Sequence, residues 1–137
     1  IAVDKSTRCS NNTFSFVLHH NKKAIIIDPG VSTYEINDIR KRERSTAYHN
    51  TVTVNDENSS QVWSGFRVAK RAEVHLETDE ARKVVAIHNG FSNCKHARTF
   101  NLENNNFSIE DSISTATKAN AHFHFHPDCK IKKIDIA

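Results

Sequence analysis

Short stretches in which apolar and polar residues alternate recur along the whole chain, and this feature limits its possible folds more than any other. A period of two residues is typical of strands with one buried face, whereas an amphipathic helix needs a period near 3.6 residues. The chain contains about ten such stretches and no convincing helical pattern. The sequence therefore predicts an all-β fold, an antiparallel β-sandwich with little or no helix that forms a single domain over residues 1–137.

Asparagine is expected to form many of the turns, because the chain contains only 3 glycines. Asparagine tolerates the left-handed backbone conformation and can therefore replace glycine in a tight turn. Strands are predicted at 14–18, 23–27, 51–54, 65–69, 72–77, 83–88, 98–102, 107–111, 121–126 and 131–136. The connections are predicted as turns at 21–22, 56–60, 78–80 and 104–106, and as a long polar loop at 31–47 in which a short helical turn can form.

Charge and composition exclude several classes of protein. The 19 Lys and Arg residues against 16 Asp and Glu give a net charge of +3, which is too weak a bias to indicate nucleic acid binding. No apolar run is long enough to span a membrane, and the N-terminus has no signal-peptide pattern. Because the chain begins at Ile1 and contains no methionine, we expect it to be a piece of a longer protein.

The three cysteines, Cys9, Cys94 and Cys129, are odd in number and widely spaced. They do not match a disulfide framework, and without a CxxC pair they do not suggest a zinc knuckle. We interpret them as buried thiols, with one disulfide as the alternative.

Two polar residues at the ends of predicted strands are the main candidates for a functional site. Asp28 follows three isoleucines and precedes Pro29–Gly30, which enforces a sharp turn and holds the carboxylate at the strand end. His49 precedes the strand 51–54, and an imidazole can bind a metal, act as a general base or donate to a charge. A turn aspartate and an ordinary loop histidine are the plainer alternatives. We predict that Asp28 and His49 belong to one site.

Three histidines alternate with two phenylalanines near the C-terminus, as His122, Phe123, His124, Phe125 and His126. In a strand, the imidazoles would share one face and the phenyl rings the other. Neighbouring imidazoles would lie roughly 7 Å apart, so two could share a metal ion but three could not. We favour the interpretation that both phenylalanines are part of the core and that the histidines face solvent.

A basic stretch and the single tryptophan are candidates for contact with a ligand. Arg40, Arg42 and Arg44 lie shortly before the candidate histidine, and arginine forks match carboxylate and sulfate groups. We therefore expect a polyanion to bind there, with a solvated charged loop as the alternative. Trp63 lies in an Asn- and Ser-rich stretch that is predicted as a turn, and it could stack on a sugar face. A lone tryptophan is more often an anchor in a core or loop.

Several stretches resemble the heparinase II/III-like polysaccharide lyases. The most specific is the run from Arg44 to Val54, RSTAYHNTVTV, and the resemblance covers most of the chain. The region it resembles is the super-sandwich-like β-sandwich that follows an α/α toroid in that family. The other stretches that carry the resemblance are FSFVL at 14–18, the run 23–30 that ends in Asp-Pro-Gly, and the segments 61–63, 66–69, 96–99 and 109–111.

The resemblance implies an activity for the longer parent protein. Family members cleave acidic polysaccharides such as heparan sulfate or alginate by β-elimination. One group neutralises the uronate carboxylate, a base removes the C5 proton, and a tyrosine or histidine protonates the leaving oxygen. Because the toroid supplies part of this machinery, we expect the isolated sandwich to be inactive. The implied partners are an acidic polysaccharide and the toroid, without nucleic acid or membrane insertion, in the periplasm or at the cell surface.

The resemblance also bears on the candidate site. By position, Asp28 and His49 match two ligands of a zinc ion that the family often binds, and His49 alternatively matches a catalytic histidine. The family's HxHxD motif falls on Arg8-Cys9-Ser10-Asn11-Asn12, which has neither histidine nor the aspartate. A zinc ion held only by Asp28 and His49 would lack the usual three protein ligands. Two hypotheses follow, a lyase whose site has diverged and a non-catalytic sandwich module that binds polyanions or carbohydrate.

Overall fold

The computed structural model describes residues 2–3, 13–30, 32, 35, 37–63, 67–70, 72–115 and 118–132, with backbone only at 2–3, 61–63 and 67–70. The helices of this part are α1 (Asp38–Glu43) and a single 3-10 turn (Thr46–Tyr48), and no helix in it is long and apolar enough to cross a membrane. The strands are β1 (Ala2–Val3), β2 (Phe16–His20), β3 (Lys23–Ile26), β4 (Val52–Val54), β5 (Gln61–Trp63), β6 (Arg67–Lys70), β7 (Val74–Asp79), β8 (Lys83–Phe91), β9 (Cys94–Glu103), β10 (Asn106–Ile113) and β11 (Ala119–Ala121).

The strands form antiparallel sheets whose apolar faces pack against each other. One layer is a four-stranded sheet in the order β10-β9-β8-β7, and β1-β2-β3 form a three-stranded sheet. Phe16 and Ile26 of the smaller sheet contact Phe100 of the larger one. A second cluster packs Val52 and Val54 of β4, which pairs with β11, against Phe91 and Cys94. The prediction of an all-β antiparallel sandwich is confirmed.

Asparagine turns connect the hairpins as predicted. Asn21 and Lys22 between β2 and β3 have φ of 49° and 63°, and Asn104 and Asn105 between β9 and β10 have φ of 48° and 65°. Asparagine adopts this left-handed region more readily than other residues that carry a side chain. The turn predicted at 78–80 is shifted, because β7 continues to Asp79 and pairs with Val84 of β8.

Two connecting segments differ from the predictions. The stretch 31–47 contains α1, which begins after Asn37, whose side chain accepts a hydrogen bond of 2.9 Å from the backbone N–H of Arg40. Six residues are too few to show a helical period, but the cap stabilises the first turn. Trp63 lies in β5, which pairs with β6, so its placement in a turn was wrong. The side chain of Trp63 is outside the described residues.

The favoured interpretation of the C-terminal histidines was wrong. β11 ends at Ala121, and Phe123 and Phe125 remain 39% and 41% exposed, whereas the three histidines around them are half-buried. The segment is not a regular strand. At its start the N–H of His122 donates to the carbonyl of Thr51 next to β4, and further on its backbone bonds to the end of β3. The imidazoles turn inward to polar partners, such as Thr53 Oγ1, 2.9 Å from His122 Nε2.

Cysteine chemistry is simple in the described part of the chain. Cys94 is buried, Cys129 is half-buried, and both are free thiols. Cys9 is outside the described residues, as are residues 133–136 of the last predicted strand.

Candidate functional site

The ends of two strands bring Asp28 and His49 together. Asp28 follows β3 by two residues, and His49 follows the 3-10 turn and precedes β4. His49 Nδ1 lies 3.0 Å and 3.1 Å from the two carboxylate oxygens of Asp28. The imidazole is buried, with 4% of its side chain exposed, whereas the carboxylate is 25% exposed. Two residues 21 positions apart thus form one polar pair at an edge of the sandwich.

The Asp28 carboxylate is held in its ionised form by three donors. The Ser15 hydroxyl donates to Oδ2 at 2.7 Å, and the backbone N–H of Gly30 donates to Oδ1 at 3.2 Å. Burial raises the pKa of Asp28, but the hydrogen bonds and charge of His49 and the bonds from Ser15 and Gly30 outweigh it and lower the pKa overall. An ionised carboxylate only accepts hydrogen bonds, so His49 Nδ1 carries the proton in this contact.

The second nitrogen of His49 is the open position of the site. Nε2 is buried and has no hydrogen-bond partner among the described residues. In neutral imidazole with the proton on Nδ1, Nε2 carries a lone pair and acts as an acceptor. A buried acceptor without a partner is costly, and in a native protein it calls for an explanation such as a catalytic role or a bound water or ion. The pair can therefore take up a proton at Nε2 and stabilise the resulting charge through Asp28.

Asn50 connects the strands around this pair, a role that no pattern in the sequence indicates. Its Nδ2 donates to the carbonyls of Phe16 and Ile27, both at 2.8 Å, and its Oδ1 accepts from the N–H of His124 at 2.7 Å. The side chain therefore fills a gap between β2, β3 and the C-terminal segment, where no strand backbone lies. Because Asn50 is 0% exposed and fully bonded, the neighbouring His49 sits on a fixed backbone.

A second polar network lies buried in the four-stranded sheet. Arg98 is 0% exposed and donates through Nε and an Nη2 proton to the two carboxylate oxygens of Asp111, at 2.7 Å and 2.9 Å. His96 Nε2 lies 2.7 Å from Asp111 Oδ1, and His88 Nε2 lies 3.0 Å from His96 Nδ1. The backbone N–H of Gly90 donates to His88 Nδ1 at 3.0 Å, which completes the chain.

The protonation states of this network follow from its bonds. Burial, together with the charges of His96 and Arg98, lowers the pKa of His88 to about 3, so His88 is neutral at pH 7. Its Nδ1 accepts from Gly90, so its Nε2 donates to His96, whose Nε2 donates to the carboxylate. Burial raises the pKa of Asp111, but the hydrogen bonds and charges of His96 and Arg98 lower it to about 2.

The sequence did not single out this network, although a signal for it existed. His96 and Arg98 are two residues apart in β9 and therefore share a face. The strand register pairs His88 with His96 and Arg98 with Asp111. Four polar or charged residues on the inner face of a predicted hairpin pair would have indicated a buried network, but only once the register was known.

The predicted ligand-binding residues lie in different environments. Arg40 and Arg44 are buried, at 3% and 2% exposure, whereas Arg42 is exposed on α1. Trp63 lies in β5, of which the structure describes only the backbone. Among the three arginines, only Arg42 presents its guanidinium to solvent.

The described residues do not complete a zinc site. They contain no group of three or more His, Cys, Asp or Glu side chains that could hold a metal ion. Asp28 and His49 could supply two metal ligands, and they are in direct hydrogen-bond contact with each other. A catalytic zinc site uses three protein ligands. The segment 8–12, on which the family's HxHxD motif falls, lies outside the described residues.

Comparisons with known proteins point in one direction. The family model described as heparinase II/III-like, C-terminal, matches residues 3–135. The chain is also similar to a heparin-sulfate lyase of Bacteroides stercoris, with 27% identity over 122 residues that make up 85% of this chain. The chain spans only 17% of the length of that relative. No solved structure matches the chain.

Proposed function

The chain belongs to the heparinase II/III-like C-terminal family, and on this premise we propose that the protein carrying it cleaves a uronate-containing acidic polysaccharide by β-elimination. The resemblance found in the sequence is confirmed by a match that covers nearly the whole chain. The similar heparin-sulfate lyase supports an acidic, sulfated or uronate-bearing substrate. Because the chain spans a small part of that relative, the complete active site requires residues from outside this domain.

The open nitrogen of His49 is the observation that carries this proposal. During β-elimination the C5 proton leaves, the C4–oxygen bond breaks, a C4–C5 double bond forms and the departing oxygen takes up a proton. The site must therefore accept one proton and supply one. His49 Nε2 is a buried acceptor, and Asp28 orients the ring through Nδ1 and stabilises the imidazolium that forms. We assign His49 as the catalytic base and Asp28 as its orienting partner.

On this domain, Arg42 is the predicted arginine that can contact a substrate. Arg42 is exposed in α1, six residues before the 3-10 turn ends, and its fork fits a carboxylate or sulfate group. The buried positions of Arg40 and Arg44 suit them to holding α1 rather than to reaching a polysaccharide. Trp63 is proposed to stack on a sugar ring.

The described residues do not by themselves make up a zinc site. Asp28 and His49 could supply two of the three protein ligands that a catalytic zinc ion usually takes. A bound zinc ion would act as a Lewis acid toward the uronate carboxylate. No step of the proposed reaction depends on it.

A non-catalytic module that binds polyanions is the second candidate. It is favoured by the sequence Arg8-Cys9-Ser10-Asn11-Asn12, which lacks the histidines and aspartate of the family motif. In that case the His49–Asp28 pair would only support the fold, and binding would depend strongly on salt because exposed cations would supply it.

The decisive assay uses the longest natural form of the protein and a panel of uronate polysaccharides. Wild type should release unsaturated uronides, which absorb in the ultraviolet, from at least one substrate. His49→Ala should lower this rate by about 10²–10⁴-fold, the usual contribution of a general base. The matched control is His19→Ala, which changes an exposed histidine of β2 and should keep the wild-type rate. Salt-sensitive binding without any product across the panel would establish the non-catalytic module instead.

A further inference from the structure

We propose that Arg98 is a positioning residue for His49, because its guanidinium holds together the two backbone segments on which the His49–Asp28 pair is built. The effect on catalysis rests on the proposed function, whereas the effect on the geometry of the pair does not. Arg98 touches neither His49 nor Asp28 through any hydrogen bond described above, so it acts through other residues.

The guanidinium itself is rigidly held. Asp111 accepts two parallel hydrogen bonds from it, a bidentate geometry that lysine cannot reproduce. His96 fixes Asp111, and His88 fixes His96, so the anchor extends across β8, β9 and β10. The imidazoles and the guanidinium are buried and the Asp111 side chain is only 19% exposed, which limits the number of alternative orientations.

The remaining nitrogen of Arg98 points toward the site. Nη1 donates to the carbonyl of Asn50 at 2.6 Å and to the carbonyl of Phe14 at 3.1 Å. Asn50 directly follows His49, and Phe14 directly precedes Ser15, the residue whose hydroxyl donates to Asp28. One guanidinium group therefore fixes the spacing of the two segments that meet at the carboxylate.

The backbone at Phe14 shows why such a clamp is needed. Phe14 has φ of 65°, a left-handed conformation that is unfavourable for a bulky side chain. Its ring packs edge-on against His88 and His96, with centroids 4.8 Å and 5.4 Å away. The Arg98 bond to its carbonyl stabilises this conformation, which sets the direction in which Ser15 leaves the turn.

The hydrogen bonds then close a path from Arg98 to the pair. The backbone N–H of Asn50 donates to Ser15 Oγ at 3.1 Å, and Ser15 Oγ donates to Asp28 Oδ2 at 2.7 Å. Asp28 accepts a hydrogen bond from His49 Nδ1, and His49 directly precedes Asn50 in the chain. Loosening Asn50 would thus affect both the carboxylate and the imidazole. A buried ion pair is weak support for stability as such, which favours a positional use.

The test compares Arg98→Lys with the wild type by ¹⁵N NMR of ring-labelled histidine, with the His49 signal assigned by its loss in His49→Gln. The wild type should show the Nδ1–H tautomer at His49. Arg98→Lys should lower the ratio of Nδ1–H to Nε2–H tautomer by about tenfold, the factor that about 1.4 kcal/mol produces. Phe107→Leu is the control, since Phe107 packs against the core cluster of Phe16 and Phe100 and should reduce the melting temperature without changing that ratio.

Activity of the longest natural form gives an independent readout. Arg98→Lys should lower kcat by about 10- to 100-fold with KM changed less than about twofold, because the base is misplaced while substrate contacts remain. If Arg98→Lys does not fold, Asp111→Asn takes its place, with an expected fall of about threefold in the tautomer ratio.

Two outcomes separate this proposal from the proposed function. A tautomer ratio and kcat that match Phe107→Leu would show that Arg98 is only structural, whether or not the protein is a lyase. A wild type that forms no product on any substrate would overturn the lyase proposal, and the tautomer ratio would still decide the role of Arg98.

Discussion

Among the described residues, two histidine–aspartate pairs have a buried imidazole, and they differ in how many of the imidazole nitrogens have a hydrogen-bond partner. In the His96–Asp111 pair, His96 accepts from His88 and donates to the carboxylate, so both ring nitrogens have partners. In the His49–Asp28 pair, Nδ1 is bonded and Nε2 has no partner among the described residues. We call the His96–Asp111 network closed, because both nitrogens of His96 have partners. We call the His49–Asp28 pair open, because Nε2 has none among the described residues.

The difference separates a structural role from a functional one. A closed network loses stability when one member is removed, because its buried partners lose their hydrogen bonds and Arg98 can lose its counter-charge. An open pair contributes less to stability, and its unsatisfied acceptor is available to a ligand or a proton. Arg98 links the two regions, since it is anchored in the closed network and holds the backbone next to the open pair.

The largest difference should appear in stability when each aspartate is removed. Asp111→Ala leaves the fully buried Arg98 unpaired and should lower the free energy of unfolding by about 3–5 kcal/mol. Asp28→Ala leaves a partly exposed position and should cost about 1–2 kcal/mol. Urea denaturation monitored by circular dichroism measures both values. Equal losses would contradict the distinction between the closed and the open pair.

The closed network should also make stability depend on pH. The pKa of His88 is about 3 in the folded state, below its ordinary 6.5, so on acidification the unfolded state binds the proton first. The stabilisation that comes from neutral His88 is complete above about pH 6.5 and is lost as the pH falls toward 3. By about pH 5 the free energy of unfolding should be lower by about 2 kcal/mol.

A glutamine at this position separates the proton from the hydrogen bonds. His88→Gln offers an acceptor to Gly90 and a donor to His96 but does not titrate, so it should flatten the loss of stability between about pH 6.5 and pH 5. His19→Gln, at an exposed position, should keep the wild-type slope. An unchanged slope in His88→Gln would place the acid sensitivity elsewhere.

Metal content provides a further test of the open pair. Asp28 and His49 could supply two of the three protein ligands that zinc usually takes, and the stretch Arg8–Asn12 has neither histidine nor aspartate, so protein purified without a polyhistidine tag should contain much less than one zinc ion per chain by elemental analysis. A stoichiometric ion that is lost in Asp28→Ala would show that the pair is a metal site completed by residues outside the described ones.

The smallest effect is expected at the surface. Arg42→Ala removes one exposed cation of α1 and should weaken the binding of an acidic oligosaccharide about two- to fivefold at low salt. Lys83→Ala, which removes an exposed cation at the start of β8, is the matched control and should have no effect. Isothermal titration at two salt concentrations measures both, and equal effects would indicate non-specific attraction.

The sequence predicted the sheets well because their pattern is local. Alternation reports one-sided burial directly, and Asn21 and Asn104 marked turns whose positive φ values the structure shows. The C-terminal histidines were misplaced because the segment after β11 is not one continuous strand: His122 bonds to Thr51, and Phe125 then bridges to Ile26 of β3. An alternation pattern does not show where a segment leaves one strand for another.

The sequence predicted one part of the candidate site, the Asp28–His49 pair, but not the residues that support it. Asp28 and His49 stood out because polar side chains next to apolar strands interrupt the strand pattern, and the two side chains do meet. Arg98 and Asp111 were not found, because their partnership depends on the register of β9 against β10. The burial of Arg40 likewise follows from tertiary packing and not from its charged neighbours in the sequence.

We expect ligand chemistry at His49 Nε2 and not in the closed network. Titration of the ring-labelled protein with a uronate oligosaccharide tests this assignment, because ¹⁵N NMR reports each imidazole nitrogen separately. The His49 Nε2 resonance should move as the oligosaccharide saturates the protein, while those of His88 and His96 should stay in place. Binding that leaves His49 Nε2 unchanged, or that shifts His88 and His96 instead, would contradict it.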